Sequence, residues 1–152
     1  MRSYVVTALL SVATFGQMVD YYQSETNGDT SDSKRSFEEI CAENGFSYEE
    51  HKVTTEDGYI LTVFRIPGLV SDEESAVNST KPPVLMQHGI LDSAYCWIVN
   101  YAEVAPAFVA ARAGYDVWLG NSRGNTYSRE HVSLSPDKNE KKFWNFTWDD
   151  MG

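Results

Sequence analysis

A chain of 152 residues with 22 acidic and 12 basic side chains, a formal net charge of −10, is one domain's worth of polypeptide whose field repels phosphate backbones. That balance argues against a nucleic-acid partner. Two cysteines, Cys41 and Cys96, are too few for a disulfide framework and read as separate buried thiols; no spacing suggests a metal site, and nothing calls for a cofactor.

Met1-Arg2-Ser3 leads into an apolar run from Tyr4 to Phe15 that ends at Gly16. A basic start, a short apolar stretch and a small exit residue read as a secretory signal peptide over 1–16. The run is shorter than the roughly 20 apolar residues that cross a bilayer, so no transmembrane segment is expected. Residues 17–35, rich in Ser, Thr, Asp and Asn, read as a disordered linker. A single folded region is expected over 36–152. Two tripeptides fit the N-glycosylation pattern of a secreted protein, Asn78-Ser79-Thr80 and Asn145-Phe146-Thr147. Asn78 lies in a polar loop, whereas Asn145 lies among aromatics expected to face inward.

Ser36-x-x-Glu39 is a capping box opening a short helix with Phe37, Ile40 and Cys41 on one face, stopped by Asn44-Gly45 and packed against a sheet edge. A hairpin follows: His51 to Thr55, the turn Glu56-Asp57-Gly58, then Tyr59 to Ile66 with alternation that buries one face. The acidic stretch between Gly68 and Lys81 should be a solvent-exposed loop.

Pro82 to Gln87 is a short apolar strand whose consecutive Val84, Leu85 and Met86 predict burial of both faces. It ends in His88-Gly89. A strand that delivers His-Gly into a loop at its carboxyl end puts backbone amides where α/β-hydrolases build half of their oxyanion hole, and the amide of Ile90 is the candidate donor. Read alone, the dipeptide is equally a strand-to-loop turn with a satisfied histidine. An aromatic loop with Tyr95 and Trp97 follows. Pro106 then opens a helix with Ala105, Phe108, Val109 and Ala113 on one apolar face, ended by Gly114. Tyr115 to Leu119 is the next strand. Strand, crossover helix and strand make the βαβ unit of a parallel sheet, so antiparallel pairing gives way to parallel pairing in one mixed sheet.

Gly120-Asn121-Ser122-Arg123-Gly124 satisfies the G-x-S-x-G pattern of a nucleophile elbow, but its context does not. An elbow needs a helix directly after the serine, and Asn125-Thr126-Tyr127-Ser128 has no helical apolar period. The triad order is Ser, acid, His, whereas His131 precedes Asp137, Asp149 and Asp150. The glycines instead suggest a tight loop at a strand's end, with Arg123 hydrogen-bonding neighbouring loops.

Taken together, Glu56-Asp57-Gly58-Tyr59-Ile60-Leu61, Gln87 to Ser93, Ala113 to Thr126, Phe143-Trp144 and Trp148 to Met151 resemble the acid lipases, the family of gastric and lysosomal acid lipase. The likeness runs in order from about Ser36 to the last residue. It implies the N-terminal part of an α/β-hydrolase fold, a secreted or lysosomal setting, and hydrolysis of triacylglycerols or sterol esters by a Ser-Asp-His triad. The resemblance assigns one oxyanion-hole amide to Ile90, supported by His88 and Gly89, and places Gly120–Gly124 in the loop after the family's fourth strand. It places the nucleophile in a Gly-His-Ser-Gln-Gly elbow after the fifth strand. No such elbow occurs in these residues, so the triad is expected to be absent and the chain inactive alone, with the strand at Val84–Met86 left open at one edge. Neutral lipid or ester is the expected partner, with contact at a lipid interface. The competing reading is a non-catalytic secreted lipid- or partner-binding module using Tyr95 and Trp97.

Overall fold

The computed structural model describes residues 35–72 and 80–151. The leader and linker readings over 1–34 and the acceptor Asn78 lie outside the described residues.

Helix α1, Phe37–Glu43, starts as its capping box dictates. Glu39 N–H donates to Ser36 Oγ at 3.2 Å and Ser36 N–H to Glu39 Oε2 at 2.6 Å, satisfying two of the amides that a helix start leaves open. Asn44 caps its end and Gly45 follows at φ +74°, the left-handed conformation that favours glycine. Strands β1, Glu49–Thr54, and β2, Tyr59–Ile66, form the hairpin, in register from Glu49 opposite Arg65 to Thr54 opposite Ile60. The crossover unit consists of β3, Pro83–Gln87, helix α2, Pro106–Arg112, and β4, Asp116–Gly120. Pro83 lies opposite Asp116 and Gln87 opposite Gly120 in a parallel pair. Strand β4 pairs antiparallel with β2, giving the order β1-β2-β4-β3, and the two-residue β5, Glu130–His131, pairs with the start of β2. A last helical turn, α3, spans Glu140–Phe143. The expected mixed α/β sheet is present, and β3 stands at its edge.

The sheet has two unlike faces. On one, Phe64, Ile66, Val117 and Leu119 are buried under α1, α2 and the turn at Ala94–Trp97. Phe46 stacks on Phe108 at 4.4 Å and 9°, and Phe37 meets Phe64 at 4.4 Å. Helix α1 therefore lies over the face of β2 rather than against a sheet edge. Helix α2 is rotated from its predicted face. Ala105, Ala107, Phe108 and Ala111 are buried, while Val109 is 45% exposed and Ala113 is outside. Alanines at 107 and 111 flank Phe108 and let the backbone approach the sheet, which a count of bulky apolar residues does not reveal. Cys41 and Cys96 are free thiols, and burial, helped by Glu38, pushes Cys41 up to about 12.

The other face is open. Leu61 and Val63 are half-buried, and Leu85 is 69% exposed, so burial of β3 on both faces is not observed. Val84 and Met86 pack on the core and Leu85 points away from it, because successive side chains alternate across a strand. Arg65, on the same open face, lies 4.9 Å over the Trp118 ring and bridges Asp116, at 2.7 and 3.1 Å, to Glu49, at 3.0 and 3.2 Å. Burial alone would raise both carboxyls. The Arg65 hydrogen bonds outweigh it, with Trp118 helping Asp116 and His51 helping Glu49, and hold both below their ordinary values of 3.8 and 4.5. A depressed carboxyl contributes stability that is complete above its unfolded-state value and disappears as pH falls through its folded one. Asp116→Asn is thus expected to cost about 1.5–3 kcal/mol near neutrality. The difference from the parent should shrink below pH 3.8, read from urea midpoints across pH.

Candidate functional site

The open face forms the floor of a hollow of about 820 Å³. Leu61, Val63 and Leu85 line its sheet side, Trp144, Phe146 and Trp148 its far side, and the loops at the carboxyl ends of β3 and β4 its rim. Ligands of open α/β sheets bind outside the carboxyl ends of the strands, where such crevices form.

At the end of β3 the backbone reverses in a tight turn in which Asp92 N–H donates to Gly89 O at 3.1 Å. Ile90, 59% exposed, borders the hollow, and Leu91 is 98% exposed. Among the described residues the Ile90 amide donates to no acceptor. His88 is buried and both ring nitrogens are engaged. Nε2 lies 3.1 Å from Ser122 N and 3.1 Å from Asn125 Nδ2, and Nδ1 lies 2.6 Å from Gly89 O. His88 thus ties the β3 loop to the loop after β4.

The G-x-S-x-G stretch is not built as an elbow. No helix follows Ser122: residues 121–129 form turns, with Gly124 N–H donating to Ser128 O at 2.8 Å. Ser122 Oγ accepts from Gln87 Nε2 at 3.0 Å. His131 is engaged elsewhere, its Nε2 2.9 Å from Asp57 O and its Nδ1 accepting from Ser133 N–H at 3.0 Å. Arg123 bonds the neighbouring hairpin as expected. It pairs with Asp57, and its guanidinium lies 4.4 Å over Tyr59 and 5.7 Å from the Phe146 ring. Gly124, at φ +84°, is required by close approach as well as by conformation, since a Cβ there would meet Trp144 at 2.5 Å.

Three residues of the site escape a motif reading. Asn121, 2% exposed, donates from Nδ2 to Thr62 O at 3.1 Å and accepts at Oδ1 from Ala94 N–H at 3.0 Å. Asn125 reaches Asn121 Oδ1 from Nδ2 at 2.8 Å. Ser128 accepts from Thr62 N–H at 3.0 Å and donates to Asn121 O at 3.1 Å. Their one signal in the sequence is small amide and hydroxyl residues directly after an apolar strand, where buried polar groups must be satisfied locally.

Other expectations are placed as follows. Tyr95 and Trp97 pack against the core instead of forming an exposed aromatic surface. Asn145 is exposed because its neighbours part ways: Phe143 is buried, while Trp144 is 38% exposed. Thr147 N–H and Oγ1–H both donate to Asp150 Oδ2, at 2.6 and 2.8 Å, hold that carboxyl low and open a 3₁₀ turn at Asp149–Met151. Among the described residues no cluster of His, Cys, Asp and Glu could hold a metal, and no helix is long and apolar enough to cross a membrane.

Residues 37–101 match the family described as the partial α/β-hydrolase lipase region. The chain is 46% identical over 121 residues to Lipase 1 of Drosophila melanogaster, covering 80% of this chain and 25% of that protein. It is 44% identical over 131 residues to human lipase member K, covering 86% and 32%, and 50% identical over 107 residues to rat gastric triacylglycerol lipase, covering 70% and 26%. Over the stretch these comparisons cover, the chain is similar to the acid lipases. It spans about a quarter to a third of the length of these relatives. The family-matched stretch takes in α1, the hairpin, β3 and the turn at Ile90, and ends before α2. The α/β-hydrolase assignment thus agrees with the mixed sheet, and His88-Gly89-Ile90 lies within it.

Proposed function

We propose that this chain supplies one oxyanion donor and one wall of the acyl site of a secreted or lysosomal acid lipase that hydrolyses triacylglycerols or sterol esters. In such a reaction an activated serine oxygen attacks the ester carbonyl, and charge develops on the carbonyl oxygen. A backbone N–H fixed in advance and aimed at that oxygen lowers the barrier, because it needs no reorganisation as the charge forms. The observation that carries the reading is the Ile90 amide. It is free of any acceptor among the described residues and sits at the carboxyl end of β3 beside a hollow floored by Leu61, Val63 and Leu85. Exposed Leu91 and Trp148 beside it suit contact with a lipid surface. On this reading the nucleophile, acid and histidine of the triad come from outside the described residues, which is supported by Ser122 having its hydroxyl on Gln87 and His131 its ring on the hairpin. The apolar leader and the exposed acceptor Asn145 support the secretory setting. A non-catalytic lipid-binding module resting on Tyr95 and Trp97 is less favoured, since both pack on the core.

The 152-residue chain is expected to release no more p-nitrophenol from p-nitrophenyl butyrate than its heat-denatured control. Ser122→Ala should leave that background unchanged. Turnover that disappears in Ser122→Ala would overturn the assignment.

A further inference from the structure

Resting on the oxyanion reading of Ile90, we propose that the Asn121–Asn125 pair is a clamp that fixes both feet of the 88–94 loop, and that these asparagines are positioning residues for the Ile90 amide. The logic begins at Asn125. Its Oδ1 accepts from Tyr127 N–H and Ser128 N–H, each at 3.0 Å, which fixes the orientation of the side-chain amide. Its Nδ2 must then face outward with two protons, one toward Asn121 Oδ1 at 2.8 Å and one toward His88 Nε2 at 3.1 Å.

A donor aimed at His88 Nε2 requires that nitrogen to be an acceptor, as does the Ser122 N–H that points at it from 3.1 Å. The imidazole proton therefore sits on Nδ1, where it donates to Gly89 O at 2.6 Å. The first foot of the loop is thereby held: Asn125 and Ser122 fix the ring, and the ring fixes the carbonyl of the peptide whose N–H is the Ile90 amide. The second foot is Ala94, fully buried, whose N–H donates to Asn121 Oδ1 at 3.0 Å. Asn121 is itself anchored to β2 through Thr62 O at 3.1 Å. One pair of adjoining side chains thus terminates both ends of the loop, while its middle, Ile90 and Leu91, stays exposed. On this account the Gly120–Asn125 stretch serves the reaction by aiming an amide.

The test uses the 152-residue chain and needs no turnover, so its failure is separate from failure of the oxyanion reading. ¹⁵N NMR of the histidine side chains should find His88 with its proton on Nδ1 and Nε2 bare. A proton on Nε2 would overturn the clamp. Asn125→Asp keeps the acceptor for Tyr127 and Ser128 but removes both donated bonds, so a merely turn-forming role predicts no change. The clamp predicts an altered His88 signal and about tenfold faster exchange of the Ala94 and Ser122 amides, with the hairpin amides over 49–66 still protected. Unchanged exchange and an unchanged His88 signal would overturn it. Loss of hairpin protection would do so too, by making Asn125 a residue of the fold at large. Asn125→Gln, with both donors on a longer arm, should partly restore the His88 signal; no restoration would likewise count against the clamp.

Discussion

Ile90→Pro is expected to reduce kcat on a short-chain ester by about 10²–10³-fold, the usual cost of deleting one oxyanion donor, with KM nearly unchanged. The setting is a chimera in which this chain supplies the stretch matching human lipase member K and that protein supplies the rest. Proline removes the N–H and nothing else the site needs. Ile90 is the second residue of the turn closed by Gly89 O and Asp92 N–H, a position that proline's fixed φ suits, and the preceding glycine tolerates the restriction that proline imposes. Ile90→Val keeps the amide and should stay within a few-fold of the parent. Full activity of the proline variant would remove Ile90 from the oxyanion hole.

The second large effect concerns the helix behind the site. Phe108 is fully buried and stacks on Phe46, so Phe108→Ala should cost about 3–5 kcal/mol through lost burial and the cavity left behind. Its neighbour Val109 is 45% exposed, and Val109→Ala should stay within about 0.5 kcal/mol. Urea midpoints of the chimera decide the matter. Equal losses at both positions would mean that α2 presents the face containing Val109 to the sheet.

That contrast marks where the sequence could be read and where it could not. The capping box at Ser36, the hairpin turn at Gly58 and the β3-α2-β4 crossover are local devices whose residue types dictate their geometry, and each stands where the pattern placed it. Consecutive Val84, Leu85 and Met86 were indistinguishable from a strand covered on both sides, because composition reports apolarity and not which element lies above. The face of α2 was ambiguous for a related reason: in an alanine-rich helix, close backbone approach rather than bulk selects the buried side.

The site divides similarly. The turn at Ile90 follows from His-Gly after a strand, and the lack of an elbow helix at Ser122 follows from the residues that lie after it. Asn121, Asn125 and Ser128 were not legible, since a buried asparagine bridging two backbone groups and a second asparagine looks in sequence like any loop asparagine. Only the meeting of the β3 and β4 loops, 34 residues apart at His88 and Ser122, gives those side chains partners.

The central claim is that the loop after β4 aims and does not attack. Treatment of the chimera with a fluorophosphonate, followed by mass spectrometry of its peptides, tests this directly. The adduct is expected on a serine in the part supplied by human lipase member K, with the peptide containing Ser122 unmodified. An adduct on Ser122 that forms in the folded protein and not after denaturation would contradict the account.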